Sequence, residues 1–184
     1  RVAERGVGTR NTIVFLGTSA LTSGFVRALE TRLQPFVNQY PNIDGIVAVA
    51  HTEGGHEQPN NRDLLLRTLA GFMLNPNVGA VLAVDRGGEA VDNAALQDYL
   101  AACNYPIHTM PHHFMSLSRS FQDDTDTAAA LVESWLDTVN GMTRSPQPIS
   151  ALKIGLQCGG SDAFSGISGN PLLGWVTKEI LHYG

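Results

Sequence analysis

The sequence predicts an α/β protein: a doubly wound, mainly parallel five-stranded sheet, Rossmann-like or flavodoxin-like, covered by helices on both faces to make three layers. Three observations predict it. Short apolar, β-branched runs alternate with longer stretches whose apolar residues recur at helical spacing. The runs lack the polar alternation of half-exposed strands, as strands buried on both faces do. Several also end in glycine, hydroxyl, histidine or acidic residues, the composition of a ligand-binding strand edge.

Residues 1–11 are polar and punctuated by glycine, and read as a lead-in. Residues 12–17, Thr-Ile-Val-Phe-Leu-Gly, form the first strand, which ends in Thr18 and Ser19. From Thr22 to about Tyr40, the residues Phe25, Val26, Leu29, Leu33, Phe36 and Val37 fall at helical spacing, with a bend expected near Pro35 and a stop at Pro41. The second strand spans 45–50 and is closed by His51-Thr52-Glu53-Gly54-Gly55-His56; a helix over 60–74 follows, broken by Asn75-Pro76-Asn77. The third strand, 79–84, runs into Asp85-Arg86-Gly87-Gly88-Glu89, ahead of a helix over 91–102. A weaker fourth strand is read at 106–110. After a loop to Phe121, Asp123 and Asp124 suit a helix N-terminus, and that helix runs past Val139 to Asn140-Gly141. Pro146 and Pro148 mark a linker to a fifth strand in 152–156, and a last helix covers about 172–182. The expected division is an α/β domain over 1–144, then a linker and the start of a second region over 145–184, its strand packing on the same sheet.

Parallel strands put all their C-terminal ends at one edge. That edge is predicted to gather Thr18, Ser19, His51, His56, Asp85, Glu89, His112, His113, Cys158, Ser161 and Asp162, with Arg10 and Asn11 at the opposite edge. His51 reads either as a general base or ligand, or as a loop histidine bonded to backbone. His56, His112 and His113 with Glu89 or Asp162 offer nitrogen and oxygen donors suited to Fe(II), Mn(II) or Zn(II). Cys158 reads as a ligand or nucleophile, or as a small buried residue; Cys103 reads as core.

Composition narrows the function. The 184 residues, 43% hydrophobic, suffice for one ordinary core. Twelve Lys and Arg against 17 Asp and Glu give a net charge of −5, which argues against nucleic acid or an anionic membrane as partner. No apolar run reaches ~18 residues, the length of a membrane-spanning helix, and the start does not resemble a secretory signal. Two distant cysteines predict no disulfide framework and a cytoplasmic location. Neither a dinucleotide-binding Gly-x-Gly-x-x-Gly, a Walker sequence nor a Gly-x-Ser-x-Gly elbow is present, so no nucleotide and no serine hydrolase is proposed.

Gln-Cys-Gly-Gly-Ser-Asp-Ala-Phe-Ser-Gly-Ile at 157–167, with Asn170-Pro171 and Leu173-Gly174, closely resembles the altronate/galactarate dehydratase family at the start of its catalytic C-terminal part. Gly8-Thr9-Arg10-Asn11 is similar to the motif opening that family's second domain. The resemblance implies a sugar-acid hydro-lyase that removes water from an aldonate or aldarate to give a 2-keto-3-deoxy acid. It implies catalytic roles for His51, Glu89 and Asp162, substrate contacts from Ser161, Gly159, Gly160, Arg10 and Asn11, and a divalent metal, Fe(II) or Mn(II), on Cys158, His51 and His56. Implied partners are the small-molecule sugar acid and the remaining C-terminal catalytic region, with a homodimer left open; the chain would then be a fragment, active or inactive alone. Two departures stand out: Gly55 and Gly88 occupy positions where the family has cysteine. With only Cys158 remaining, thiolate ligation is weakened. The alternative is a non-catalytic sugar-acid-binding or scaffold domain that has lost its metal-binding cysteines.

Overall fold

The computed structural model describes residues 2–157, 159–160 and 162–184, with backbone alone for Val2 and Ala3. The chain divides into two compact units, Arg1–Arg144 and Ser145–Gly184.

The first unit opens with a two-residue hairpin, β1 (Val2–Ala3) and β2 (Gly6–Val7). Four parallel strands follow: β3 (Thr12–Gly17), β4 (Gly45–Val49), β5 (Val78–Asp85) and β6 (His112–Ser116). They lie in the order β4-β3-β5-β6. The interleaved helices are α1 (Ser23–Val37), α2 (Arg62–Leu74), α3 (Asn93–Ala102), α4 (Phe121–Glu133) and α5 (Leu136–Asn140). Side chains alternate across a strand, so each central strand feeds two cores. Ile13 and Phe15 of β3, with Ala80, Leu82 and Val84 of β5, pack among α1, α4 and α5. Val14 and Leu16, with Val81 and Ala83, pack among α2 and α3. All eight residues of β5 are buried, which is why its sequence is unbroken apolar until Asp85.

The connection from β3 leads to β4 on one side, and the next crosses over to β5 on the other. The switch point therefore lies between β3 and β5, outside whose C-terminal ends open α/β sheets form their ligand crevice.

Two expected strands differ. The fourth strand is not at 106–110, where Ile107–Thr109 instead forms a single 3-10 turn, but at His112–Ser116. It is one of the two edge strands, paired among the described residues with β5 alone, and its half-exposed pattern gives a weak apolar signal. The expected fifth strand at 152–156 is absent; Leu152, Ile154 and Leu156 are exposed and non-strand. Their alternating pattern is strand-like, but a strand needs a partner for its backbone groups, and the described residues of 145–184 form no other strand.

The second unit consists of a 3-10 turn (Ile149–Ala151), α6 (Ala163–Ile167) and α7 (Gly169–His182). None of its described residues is buried: Phe164, Ile167, Trp175 and Leu181 all stand exposed.

Candidate functional site

Three loops meet at the switch-point end of the sheet, and each is tied to the next. After β3, Ser19 is fully buried and caps a short 3-10 turn, its Oγ accepting from the Leu21 N–H at 3.2 Å. After β4, the Glu53 carbonyl accepts from the Ala20 N–H at 2.7 Å, and Gly54 lies close against Thr18 and Ser19. Gly54 has φ +75°, and a Cβ there would sit 3.0 Å from Leu65 Cδ2, so both backbone and space select glycine. After β5, the Ala90 carbonyl accepts from Arg62 Nε at 2.9 Å, binding that loop to the start of α2.

Glu89 belongs to this last loop and reaches back across the switch point. Its Oε1 accepts two hydrogen bonds, from Ser19 Oγ at 3.1 Å and from the Arg86 N–H at 3.0 Å. Its Oε2 is buried and has no partner. A buried acceptor left unmade costs about 1–3 kcal/mol, so its retention needs a reason. Below it, Asp85 Oδ2 accepts from the Asn93 N–H at 2.7 Å and Asn93 Nδ2 donates to the Met115 carbonyl at 3.0 Å, which stitches the loop between β5, α3 and β6. Asp85 Oδ1 and Asn93 Oδ1 are likewise buried without partners.

His51 stands at the same edge but is engaged through both ring nitrogens. Nδ1 accepts from the Glu53 N–H at 3.2 Å, so the ring proton lies on Nε2, which donates to the Gly17 carbonyl at 2.9 Å. Its carbonyl accepts from Ser23 Oγ at 2.6 Å. In this arrangement neither nitrogen is open to a metal or a substrate proton. His56 is exposed on the rim of a polar cavity of about 480 Å³ bounded by the β4–α2 loop, where Asn61 Nδ2 donates to Glu53 Oε2 at 2.9 Å. That volume is within the range of small-molecule sites.

His112 and His113 do not join the edge. They begin β6, opposite Val81 and Leu82, so they lie far short of its C-terminal end; His112 Nδ1 contacts the Met110 carbonyl at 3.0 Å. Cys103 is exposed rather than core. Among the described residues no three of His, Cys, Asp and Glu converge on one point. With His51 committed to backbone, the described donors do not fit the expected Fe(II) or Mn(II) centre.

Arg10 and Asn11 lie at the other end of the sheet, and the motif around them has a structural account. A Cβ on Gly8 would collide with the Pro76 carbonyl. Asn77 Oδ1 accepts from the Thr9 and Arg10 N–H groups, each at 2.8 Å. Asn11, 4% exposed, donates Nδ2 to the Asn42 and Val139 carbonyls at 2.9 and 2.8 Å. Asp44 accepts from the Asn11 N–H at 2.7 Å and from Arg144 Nη2 at 2.7 and 2.8 Å. Burial acts to raise the Asp44 pKa, but the Arg144 and Asn11 hydrogen bonds and Arg144's charge outweigh it and hold the carboxyl below its ordinary value.

In the second unit, Asp162 caps α6, with Oδ1 accepting from the Ser165 N–H at 2.6 Å. Gly159 is open, and the Gly160 carbonyl accepts from the Asp162 N–H. Cys158 and Ser161 lie outside the described residues.

Comparison with known proteins decides the family. Residues 1–140 match D-galactarate dehydratase/Altronate hydrolase, second domain, and residues 149–184 match D-galactarate/Altronate dehydratase, C-terminal. The chain belongs to the galactarate/altronate dehydratase family. The altronate dehydratase of Escherichia coli (strain K12) is 30% identical over 188 residues, covering 100% of this chain and 36% of the relative. That of Bacillus subtilis (strain 168) is 31% identical, covering 96% and 35%. The (2R)-sulfolactate sulfo-lyase subunit beta of Chromohalobacter salexigens is 25% identical, covering 97% and 42%. The chain thus spans little more than a third of the dehydratases it matches. The two family matches meet near residue 145, where the structure also divides.

The edge assembled from Ser19, His51, Asp85 and Glu89 was expected from the sequence. The Ser19–Glu89 hydrogen bond and the place of Asn93 were not: their partners are 70 and 22 residues away, and no local pattern announces them.

Proposed function

We propose that this chain is the α/β part of a sugar-acid dehydratase and that Glu89 exchanges a proton with the substrate. The observation that carries the reading is the Glu89 carboxylate, held rigidly through Oε1 while Oε2 is buried without a partner at the switch point. Family membership supplies the substrate class, an aldonate or aldarate.

The reaction breaks the C2–H bond beside the substrate carboxylate and the neighbouring C3–O bond. A base takes the C2 proton, the C3 oxygen leaves as water after receiving a proton, and the resulting enol gives up its C2 hydroxyl proton and takes one at C3 to give the 2-keto-3-deoxy acid. One carboxylate oxygen able to accept and return a proton suits either proton transfer. Preorganisation favours Glu89: two donors already fix Oε1, so little reorganisation accompanies the transfer at Oε2. His51 holds Gly17 and Glu53, keeping the β3 and β4 loops in place, and Asp162 with its neighbours enters the reading through the family resemblance. No step is routed through a metal, because the described donors do not converge.

The test is an anaerobic thermal-shift titration with altronate, galactarate and uncharged polyols, with and without Fe(II), Mn(II) and Zn(II). A ligand that binds only the native state raises stability by RT ln(1 + [L]/Kd). The expected result is stabilisation by sugar acids, weakened about tenfold in apparent affinity by Glu89→Gln, the scale of a charge-assisted hydrogen bond. No response to any sugar acid would turn the assignment to the scaffold alternative.

A further inference from the structure

We infer that Ser19 is the positioning residue that decides which oxygen of Glu89 faces the substrate, an inference that rests on the proton-exchange role proposed for Glu89. Ser19 is fully buried at the end of β3, and Glu89 is in the loop after β5, so their 3.1 Å contact bridges the two strands that flank the switch point. A serine hydroxyl has one proton and accepts through its lone pairs. The Leu21 N–H occupies the acceptor side at 3.2 Å, which leaves the hydroxyl proton for Glu89 Oε1. The Arg86 N–H comes to the same oxygen at 3.0 Å. Two donors on Oε1 and none on Oε2 make the two oxygens inequivalent: one is saturated by the protein, the other is left for a donor that the protein does not supply.

Ser19 itself is not free to turn. The Ser19 carbonyl accepts from Thr22 Oγ1 at 3.1 Å, the Ala20 N–H is bound to the Glu53 carbonyl, and Gly54 is packed against the Ser19 side chain. The hydroxyl is thus oriented by loops from two strands, while the Arg86 N–H belongs to the same loop as Glu89 and moves with it. The Ala90 carbonyl ties the backbone of that loop to Arg62, and Ser19 is the side chain that registers the Glu89 carboxylate itself against the β3 loop. Without it the carboxylate would keep a local hydrogen bond but lose its fixed direction, and substrate would meet a mixture of orientations.

A double-mutant cycle tests this on the whole 184-residue chain, with altronate and galactarate as probes and calorimetric affinity as the readout. Ser19→Ala is expected to weaken sugar-acid binding about tenfold in the native background and by less than twofold in Glu89→Gln, because non-additivity marks residues acting through one another. Thermal stability without ligand is measured alongside; a purely structural serine lowers both stability and affinity equally in the two backgrounds, and that result overturns the proposal. Equal affinity in native chain and Ser19→Ala overturns it while leaving the dehydratase reading intact. Absence of sugar-acid binding by the native chain overturns both. Should Ser19→Ala fail to fold, Ser19→Cys repeats the cycle with a side chain of the same shape and a weak donor, and the same non-additivity is required.

Discussion

Asp44 shows how a single side chain can hold an edge of the sheet. Its carboxylate collects the Asn11 N–H and a two-pronged Arg144 contact, with Arg10 Nη1 a further 3.5 Å away. Its folded pKa lies below the ordinary value, so its contribution is present above the unfolded pKa of about 3.9 and is lost as pH falls through the folded one. Asp44→Asn is expected to flatten the acid limb of stability below about pH 4, read as urea midpoints from pH 5 to pH 2. A variant whose acid limb stays parallel to that of the native chain would show that Asp44 is not responsible. His51 invites a second prediction at this scale. Because both ring nitrogens hold backbone, His51→Ala should cost about 1–2 kcal/mol of stability even without ligand, measurable by denaturant unfolding. Unchanged stability would free the ring for the chemistry first expected of it.

At the scale of elements, β3 and β5 are the frame on which both helix layers rest. Leu82 is fully buried in the core beneath α1 and α4, and Leu82→Ala should cost 2–5 kcal/mol, roughly the range for a leucine cavity. Gly8→Ala makes a sharper test of the Gly8–Asn11 motif. The added methyl meets the Pro76 carbonyl, a backbone atom that cannot rotate away, so a loss of about 1–3 kcal/mol is expected from chemical denaturation. A neutral result would remove the structural account of that glycine. These elements also show what was legible. The runs read at 12–17 and 79–84 are unbroken apolar because β3 and β5 are buried on both faces, whereas the run read at 45–50 is as apolar although its strand lies at an edge with Val47 exposed. β6 lies a few residues beyond the expected span because its polar residues His112, His113 and Ser116 leave only Phe114 and Met115 as an apolar signal. At 152–156 the pattern was read correctly and the strand still does not form, since pairing is supplied by a neighbour and not by the segment itself.

At the scale of the whole molecule, every buried hydrophobic residue among the described residues lies between Ile13 and Val139. The first unit therefore holds the described core by itself, and residues 1–144 expressed alone should unfold cooperatively with a denaturant midpoint close to that of the full chain. A large drop in midpoint, or loss of cooperativity, would show that the second unit contributes to that core. The second unit, with Phe164, Ile167, Trp175 and Leu181 exposed, should be cut by protease well before the first. No described helix is long and apolar enough to cross a membrane.

Periodicity alone was enough for the alternation of strands and helices and for the edge at which Ser19, His51, Asp85 and Glu89 gather, because these follow from where a chain of fixed geometry must hide its apolar groups. The tertiary structure alone decided the strand order, hence the switch point, and which polar atoms meet there. It bonded both ring nitrogens of His51 to backbone, one of the two readings its sequence left open, gave Asn11 its partners Asn42, Asp44 and Val139, and joined Ser19 to Glu89 across 70 residues. Hydrogen bonds between distant loops leave no periodic trace: they depend on the register of neighbouring strands, which is set only when the sheet assembles.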